Sequence, residues 1–133
     1  MKAIFKVLAI LGFVALLCIA ALALVILDLT TGHVVLENGA GEEISVCSLE
    51  LPGTTSRFEN IKPGCTRDVW FSAKQDGEYH VAVTFSSGSK LVDDVGYVTP
   101  NLGNRDRLII SHEQIKLVRD RFPALANGFQ AFK

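Results

Sequence analysis

The sequence predicts a mainly β protein, in which one N-terminal transmembrane helix is followed by a small antiparallel β-sandwich. An unbroken apolar run over residues 7–27 opens the chain. The remaining part, roughly 105 residues, is long enough for one small core but not for two. Turn signals built on Gly, Pro and Asn recur in it at intervals of about ten residues, between short alternating segments. No segment reads as the crossover helix that a parallel sheet would need.

The apolar run has the length and the flanks of a membrane span. It contains 21 residues without a charge, preceded by Lys2 and Lys6 and closed by Asp28. As a helix it would be about 31 Å long, which matches a hydrocarbon core of about 30 Å. The two lysines favour a cytoplasmic N-terminus, so we expect a single-pass protein whose domain lies on the far side of the membrane.

A cleavable secretory signal is the alternative interpretation of this segment. Ala21-Leu22-Ala23 would serve as its cleavage site. The run is longer than the usual apolar region of about 7 to 15 residues, and cleavage there would leave four apolar residues at the new N-terminus. We therefore interpret residues 7–27 as a signal anchor, with cleavage left open.

The first half of the soluble part predicts three strands. Residues 31–37 have a β-branched apolar centre and end at a glycine-containing turn. Residues 43–51 carry apolar side chains on both faces and end at Pro52-Gly53. Residues 54–58 form a short extended piece before a turn at 60–64 that contains proline and glycine.

The second half predicts a three-stranded meander. Residues 69–73 and 79–85 alternate apolar and polar side chains around the turn at 75–77, which contains Asp-Gly. A serine-rich turn leads to a third strand at 91–99. A further strand is predicted at 107–111.

Residues 112–122 are ambiguous between helix and strand. Ile115, Val118 and Phe122 would share one face of a helix, whereas 115–118 also reads as a strand that returns from a turn. We favour the strand. The predicted division is a cytoplasmic stub at 1–6, the transmembrane helix at 7–27, the sandwich domain at 28–122 and a loosely packed tail at 123–133.

Three short motifs carry a resemblance to a known group of proteins. They are Phe58-Glu59-Asn60-Ile61-Lys62-Pro63-Gly64, Asp76-Gly77-Glu78-Tyr79 and Gly96-Tyr97-Val98-Thr99. With the helix, they resemble small single-pass bacterial membrane proteins of uncharacterised function that have an extracytoplasmic immunoglobulin-like β-domain. The similarity covers approximately residues 30–118. It implies a domain in the periplasm, anchored in the bacterial inner membrane, and it brings no catalytic residues.

Two cysteines outside the helix predict a disulfide. Cys47 lies on a predicted strand, Cys65 follows a turn, and the outside of a membrane is oxidising. Their bond would close a loop of about 18 residues and contribute on the order of 3 kcal/mol. Two separate buried thiols are the alternative, since spacing does not define geometry.

No catalytic or metal-binding pattern stands out. His112-Glu113 begins like a zinc-protease signature, but Lys116 stands where the second histidine is required. Neither a G-x-S-x-G elbow nor a C-x-x-C pair occurs. We therefore predict a protein that is not an enzyme and needs no metal or cofactor.

The charge distribution predicts an acidic body with a basic tail. Residues 28–100 hold five Lys or Arg against eleven Asp or Glu, and residues 101–133 hold six against three. A sequence pI near 6.3 argues against a nucleic-acid partner. Trp70 alternates away from its apolar neighbours, so it is a candidate interface anchor if they face the core. The candidate interface residues are Trp70, Glu42, Glu43, Asp93 and Asp94.

Two classes of function fit these features. The first is a membrane-anchored periplasmic protein-interaction module, for example an immunity-type protein that neutralises a toxin, or part of an envelope complex. The second is a small periplasmic enzyme or ligand-binding domain whose site forms only in the folded protein. We favour the first, with a lipid bilayer around residues 7–27 and a protein partner outside.

Overall fold

The computed structural model describes residues 1–100 and 102–119, and it contains one helix and two four-stranded sheets. The predicted fold class, an apolar N-terminal helix followed by a β-sandwich, is confirmed. The elements are α1 (Lys2–Thr30), β1 (Gly32–Asn38), β2 (Ile44–Leu51), β3 (Thr54–Ile61), β4 (Thr66–Phe71), β5 (Gly77–Phe85), β6 (Lys90–Val98), β7 (Arg105–Ile110) and β8 (Ile115–Arg119).

Helix α1 extends beyond the apolar run at both ends. The side chains of residues 3–29 are exposed, so the helix is not part of the core of the domain. By length and composition it is a candidate membrane span. Only Thr31 separates its last residue from strand β1. The helix therefore leads into the domain without a linker.

The strands alternate in direction along the chain. The first sheet has the strand order β4-β1-β7-β8, and the second sheet has the strand order β3-β2-β5-β6. Neighbours pair antiparallel except β1 and β7, which are parallel because both run away from the helix. We call the end of the sandwich beside the helix the proximal end. The distal end carries the loops at 39–43, 62–65, 86–89 and 111–114.

The core lies between the two sheets, where every second side chain of the inner strands is buried. Burial alternates along all of β1 and along β5 from Tyr79 to its end, which gives each sheet an apolar inner face and an outer face open to solvent. The largest fully buried side chains include Tyr79, Phe85, Leu36, Leu49 and Leu108. The outer faces are therefore the surfaces open to other molecules.

The predicted three-stranded meander is wrong in its first strand. Strand β4 pairs with β1 in one sheet, whereas β5 pairs with β2 and β6 in the other. Residues 72–76 therefore cross between the sheets instead of closing a hairpin. Gly77 is needed for a close approach, since a Cβ there would lie 2.5 Å from Cγ of Pro52. The Asp-Gly signal marks a change of direction but does not identify the partner strand.

The C-terminal ambiguity is resolved for the residues that the structure describes. Ile115–Arg119 is a strand, as we favoured, and it pairs with β7. Strand β3 continues to Ile61, three residues beyond the predicted end. The predicted tail at 123–133 and the end of the predicted domain at 120–122 lie outside the described residues.

Candidate interaction surfaces

The five predicted interface residues do not form one surface. Trp70 lies on the outer face of the first sheet at the proximal end. Asp94 lies on the outer face of the second sheet beside His80, and Asp93 is directed to the other side of the same strand, level with buried Val81. The remaining two, Glu42 and Glu43, stand in the distal loop between β1 and β2.

The predicted disulfide is absent, and both cysteines are free thiols. Strand alternation directs Cys47 into the core, where it is fully buried opposite Val83. Cys65 is exposed in a distal turn, where its N–H donates to the carbonyl of Lys62 and its carbonyl accepts from the N–H of Asn38. The two residues therefore lie in different environments, one inside the sandwich and one on a loop.

A set of aromatic and charged side chains lies where the helix meets the first sheet. We call Asp28, His33, Asp68, Trp70 and Arg105 the junction cluster. The rings of His33 and Trp70 stack with their centroids 4.1 Å apart, and Nε2 of His33 lies 2.8 Å from Oδ1 of Asp68. The guanidinium carbon of Arg105 lies 5.4 Å from the centroid of the Trp70 ring. Cross-strand pairing produces this row, because His33 is the partner of Trp70 on β4 and of Arg105 on β7.

Arg105 connects the domain to the end of the helix. It donates a 2.6 Å hydrogen bond to the carboxylate of Asp28 and a 2.7 Å bond to the carbonyl of Thr31. The loop before it also touches the helix, since a Cβ on Gly103 would lie 2.9 Å from the carbonyl oxygen of Asp28. A positive side chain at a helix C-terminus is stabilised by the free carbonyls there. The helix and the sandwich are thus joined by side-chain contacts as well as by the chain.

A second polar set, the distal cluster, consists of Glu42, Ser86, Ser87 and His112. The Glu42 carboxylate accepts hydrogen bonds from the Ser86 hydroxyl at 2.7 Å, the Ser87 N–H at 2.9 Å and the Ser87 hydroxyl at 3.0 Å. Nε2 of His112 lies 3.3 Å from the same carboxylate, and its ring rests against Phe85. The hydrogen bond from Ser86, followed by those from Ser87 and the charge of His112, lowers the pKa of Glu42 against an opposing effect of desolvation.

The distal cluster contains the residue types of a hydrolytic site but not its geometry. In a catalytic triad the histidine accepts the proton of the serine, and the carboxylate holds the far side of the imidazole. Here the hydroxyls of Ser86 and Ser87 donate to Glu42, and His112 contacts the carboxylate instead of a hydroxyl. The three side chains other than Glu42 are exposed on loops. We interpret the cluster as a connection between three distal loops.

The outer face of the second sheet carries a group of acidic side chains. Glu50, His80 and Asp94 are cross-strand neighbours on β2, β5 and β6, and Asp76 and Glu78 lie at the proximal end of the same face. The imidazole of His80 is hydrogen bonded to Asp94, which raises the pKa of His80. We call this surface, formed by the four acids and His80, the acidic face.

Exposed apolar side chains accompany the acidic face. Val92 and Tyr97 on β6 are 60% and 52% exposed. Gly96, at φ 70°, interrupts the alternation of β6, so that Tyr97 faces outward while Val98 is buried. Desolvation, followed by the negative charges of Asp76 and Glu78, raises the pKa of Tyr97. Strict alternation along this strand would place Tyr97 on the inner side with Leu91 and Val95, because a bulge cannot be seen in an alternating pattern.

No metal centre forms among the residues that the structure describes. Within 1–100 and 102–119, no three His, Cys, Asp or Glu side chains are grouped to hold an ion. Each histidine in the described part instead lies against one carboxylate, namely His33 with Asp68, His80 with Asp94 and His112 with Glu42.

Comparison with known proteins supports the fold only. No protein-family model and no curated protein matches the chain. The NMR structure of a protein from Eubacterium rectale is similar, with a TM-score of 0.52 and 15% sequence identity, over 71% of this chain and 93% of that one. At this identity the likeness concerns architecture and not activity. The chain is therefore a β-sandwich protein with an apolar N-terminal helix.

Proposed function

We propose that this protein is a membrane-anchored interaction module, whose domain stands in the periplasm on the bacterial inner membrane and binds a protein partner through the acidic face. The observation that carries the proposal is the combination, on one outer sheet face, of four acids with the exposed side chains of Val92 and Tyr97. Acids attract a basic partner, and the apolar side chains supply area that becomes buried on binding.

Helix α1 supports the anchoring part of the proposal. All its described apolar side chains from residue 3 to residue 29 are exposed, and such a surface is stable only if lipid or another apolar phase covers it. The basic residues Lys2 and Lys6 at its start favour a cytoplasmic N-terminus. The sandwich would then stand on the opposite side.

The shape of the acidic face suits a protein partner. Its middle row consists of the small side chains of Ser48 and Ala82 beside Val92, so a partner can approach the sheet closely. Tyrosine is enriched among the side chains that dominate binding energy, and Tyr97 stands beside the acids. We expect the partner to present a basic surface with an apolar centre. An immunity-type protein that neutralises a basic toxin is one form of such a module.

A photo-crosslinking experiment tests the proposal. A photoreactive amino acid is placed at Val92 in the full-length protein, and adducts are collected from bacterial membranes after irradiation. We expect a discrete adduct whose yield falls at least severalfold in the double variant Glu50→Lys/Asp94→Lys, and also on addition of salt. Glu113→Lys, a charge reversal of equal sign on a distal loop, is the matched control and should leave the yield unchanged.

The result that would contradict the proposal is an adduct that forms equally in all these variants, or no adduct at Val92 in membranes where the protein is folded. Thermal unfolding of each purified variant establishes folding independently. An adduct that instead depends on Glu42 and His112 would move the binding surface to the distal cluster.

A further inference from the structure

We propose that the junction cluster rests in the outer headgroup layer, with the indole of Trp70 at the lipid–water interface, so that the domain is held in one orientation on the bilayer. The proposal rests on the membrane anchoring proposed above. It adds a second contact with lipid, which the sandwich itself makes. The chain connection between the helix and the sandwich does not by itself require this region to touch the membrane.

The length of the helix brings the junction to the membrane surface. The uncharged run of 21 residues spans about 31 Å, close to the hydrocarbon thickness of about 30 Å. Asp28 follows that run directly and therefore lies at the outer boundary of the hydrocarbon. The complete helix of 29 residues is about 43 Å long, which equals a bilayer with its headgroups. Strand β1 begins two residues beyond the helix, at Gly32.

The position of Trp70 is fixed relative to Asp28. One guanidinium, that of Arg105, lies 2.6 Å from the Asp28 carboxylate and 5.4 Å from the Trp70 ring centroid. The guanidinium of Arg105 therefore connects the indole of Trp70 to Asp28, the residue at the outer boundary of the hydrocarbon. Trp70 follows Asp28 by 42 residues in the sequence, so the two residues are brought together by folding and not by closeness along the chain.

The side chains that remain uncovered at the junction suit an interface. Trp70 is 61% exposed, Leu102 in the neighbouring loop is 59% exposed and Leu29 on the helix is 58% exposed. The polar side chains of the cluster have partners within it, since Arg105 is paired with Asp28 and Nε2 of His33 lies 2.8 Å from Oδ1 of Asp68, and the Trp70 ring is exposed beside them. Tryptophan is enriched at membrane–water interfaces because its ring is apolar and its N–H is a donor.

The experiment uses the fluorescence of Trp70, which is the single tryptophan of the chain. The full-length protein is reconstituted into phosphatidylcholine–phosphatidylglycerol vesicles that contain a spin label either at the headgroup or deep in the acyl chain. We expect the headgroup label to quench the fluorescence of Trp70 more strongly than the deep label does, by about twofold or more. The matched control, Trp70→Phe/Glu113→Trp, moves the reporter to a distal loop, where neither label should quench it.

Labelling of Cys18 separates this proposal from the anchoring on which it depends. Cys18 lies in the middle of the apolar run, so an inserted helix protects it from a water-soluble maleimide. If Cys18 is protected and Trp70 is not quenched, the proposed contact of the domain with the headgroups is wrong, whereas the proposed membrane anchor is supported. If Cys18 reacts in vesicles, the anchor itself is wrong. Shielding of Trp70 from iodide without quenching by either lipid label would mean that a second copy covers it, which also overturns the proposal.

Arg105→Gln provides a second readout. Loss of the guanidinium removes the hydrogen bonds to Asp28 and Thr31 but leaves the helix intact. We expect quenching by the headgroup label to fall about twofold or more while Cys18 stays protected. Unchanged quenching in this variant would show that Arg105 does not hold the indole at the surface.

Discussion

The phenolic hydroxyl of Tyr79 donates a 2.7 Å hydrogen bond to the carboxylate of Asp106 across the interior of the sandwich. Tyr79 belongs to the second sheet and Asp106 to the first, so the bond connects the two layers. Arg119 completes the arrangement with hydrogen bonds of 2.9 and 3.1 Å to the same carboxylate. Burial, followed by the bond to Asp106, raises the pKa of Tyr79 far above its ordinary value, so the hydroxyl remains a donor.

Replacing Asp106 with alanine should destabilise the domain by about 3 to 5 kcal/mol, because a buried hydroxyl and a guanidinium lose their acceptor together. Tyr79→Phe should cost less, about 1 kcal/mol, since Arg119 still pairs with the carboxylate. Chemical denaturation of both variants measures the difference. Glu113→Gln, on an exposed distal loop, is the control and should change the free energy of unfolding little. Equal losses in the two variants of the buried pair would contradict this account.

The distal cluster should stabilise the domain less in acid. Because the pKa of Glu42 is lower in the folded protein than its ordinary value of 4.5, its contribution is complete above that value and is lost as the pH falls through the folded pKa. The melting temperature of Glu42→Gln should therefore lie below that of the parent at pH 7 and approach it as the pH falls below 4.5. A constant difference between the two proteins over this range would exclude Glu42 as the titrating group.

His80 should titrate above its ordinary pKa of 6.5, because it is hydrogen bonded to Asp94. A pKa that is raised on folding gives a contribution to stability that is complete below pH 6.5 and is lost as the pH rises through the folded pKa. NMR titration of the imidazole measures this value directly. Asp94→Asn should lower it towards 6.5, whereas Asp68→Asn, beside His33, should leave it unchanged.

The two cysteines outside the helix should react in a fixed order. Cys65 is exposed, whereas Cys47 is buried and burial raises its pKa to about 11. A maleimide should therefore label Cys65 in the folded protein and Cys47 only after denaturation. Mass spectrometry of peptides, prepared without a reductant, detects both products. A peptide pair linked through Cys47 and Cys65 would restore the disulfide that the structure lacks.

In this protein the sequence predicts where the strands lie better than it predicts which distant residues contact one another. Strand positions follow from alternation, and the exposure of Trp70 follows from its burial-competent neighbours Val69 and Phe71. Asp106 lies on the inner face of β7 with Leu108, but it precedes the strand predicted at 107–111, so the sequence analysis does not identify it as a buried acid. Its hydrogen bond to a residue 27 positions away could not be predicted, because that contact depends on how the sheets are stacked.

The candidate surfaces show the same division. Asp94 is one of the predicted interface residues, but its grouping with Glu50 and His80 requires the pairing of three strands. The meander was predicted wrongly because Asp-Gly signals a reversal in either sheet, and only the long-range pairing of β1 with β4 decides between them. The side-chain contacts between segments that are distant in the sequence are therefore the part of the candidate surfaces that the sequence does not predict.

Labelling of Cys65 from outside the cell tests most directly the proposal that an anchored domain stands beyond the inner membrane. Cys65 is exposed on the distal end of the sandwich, and Cys18 in the helix is an internal control. In intact spheroplasts that produce the full-length protein, a membrane-impermeant maleimide should modify Cys65 without permeabilisation and leave Cys18 unmodified. Modification of Cys65 only after the membrane is permeabilised would contradict the account, because the domain would then face the cytoplasm.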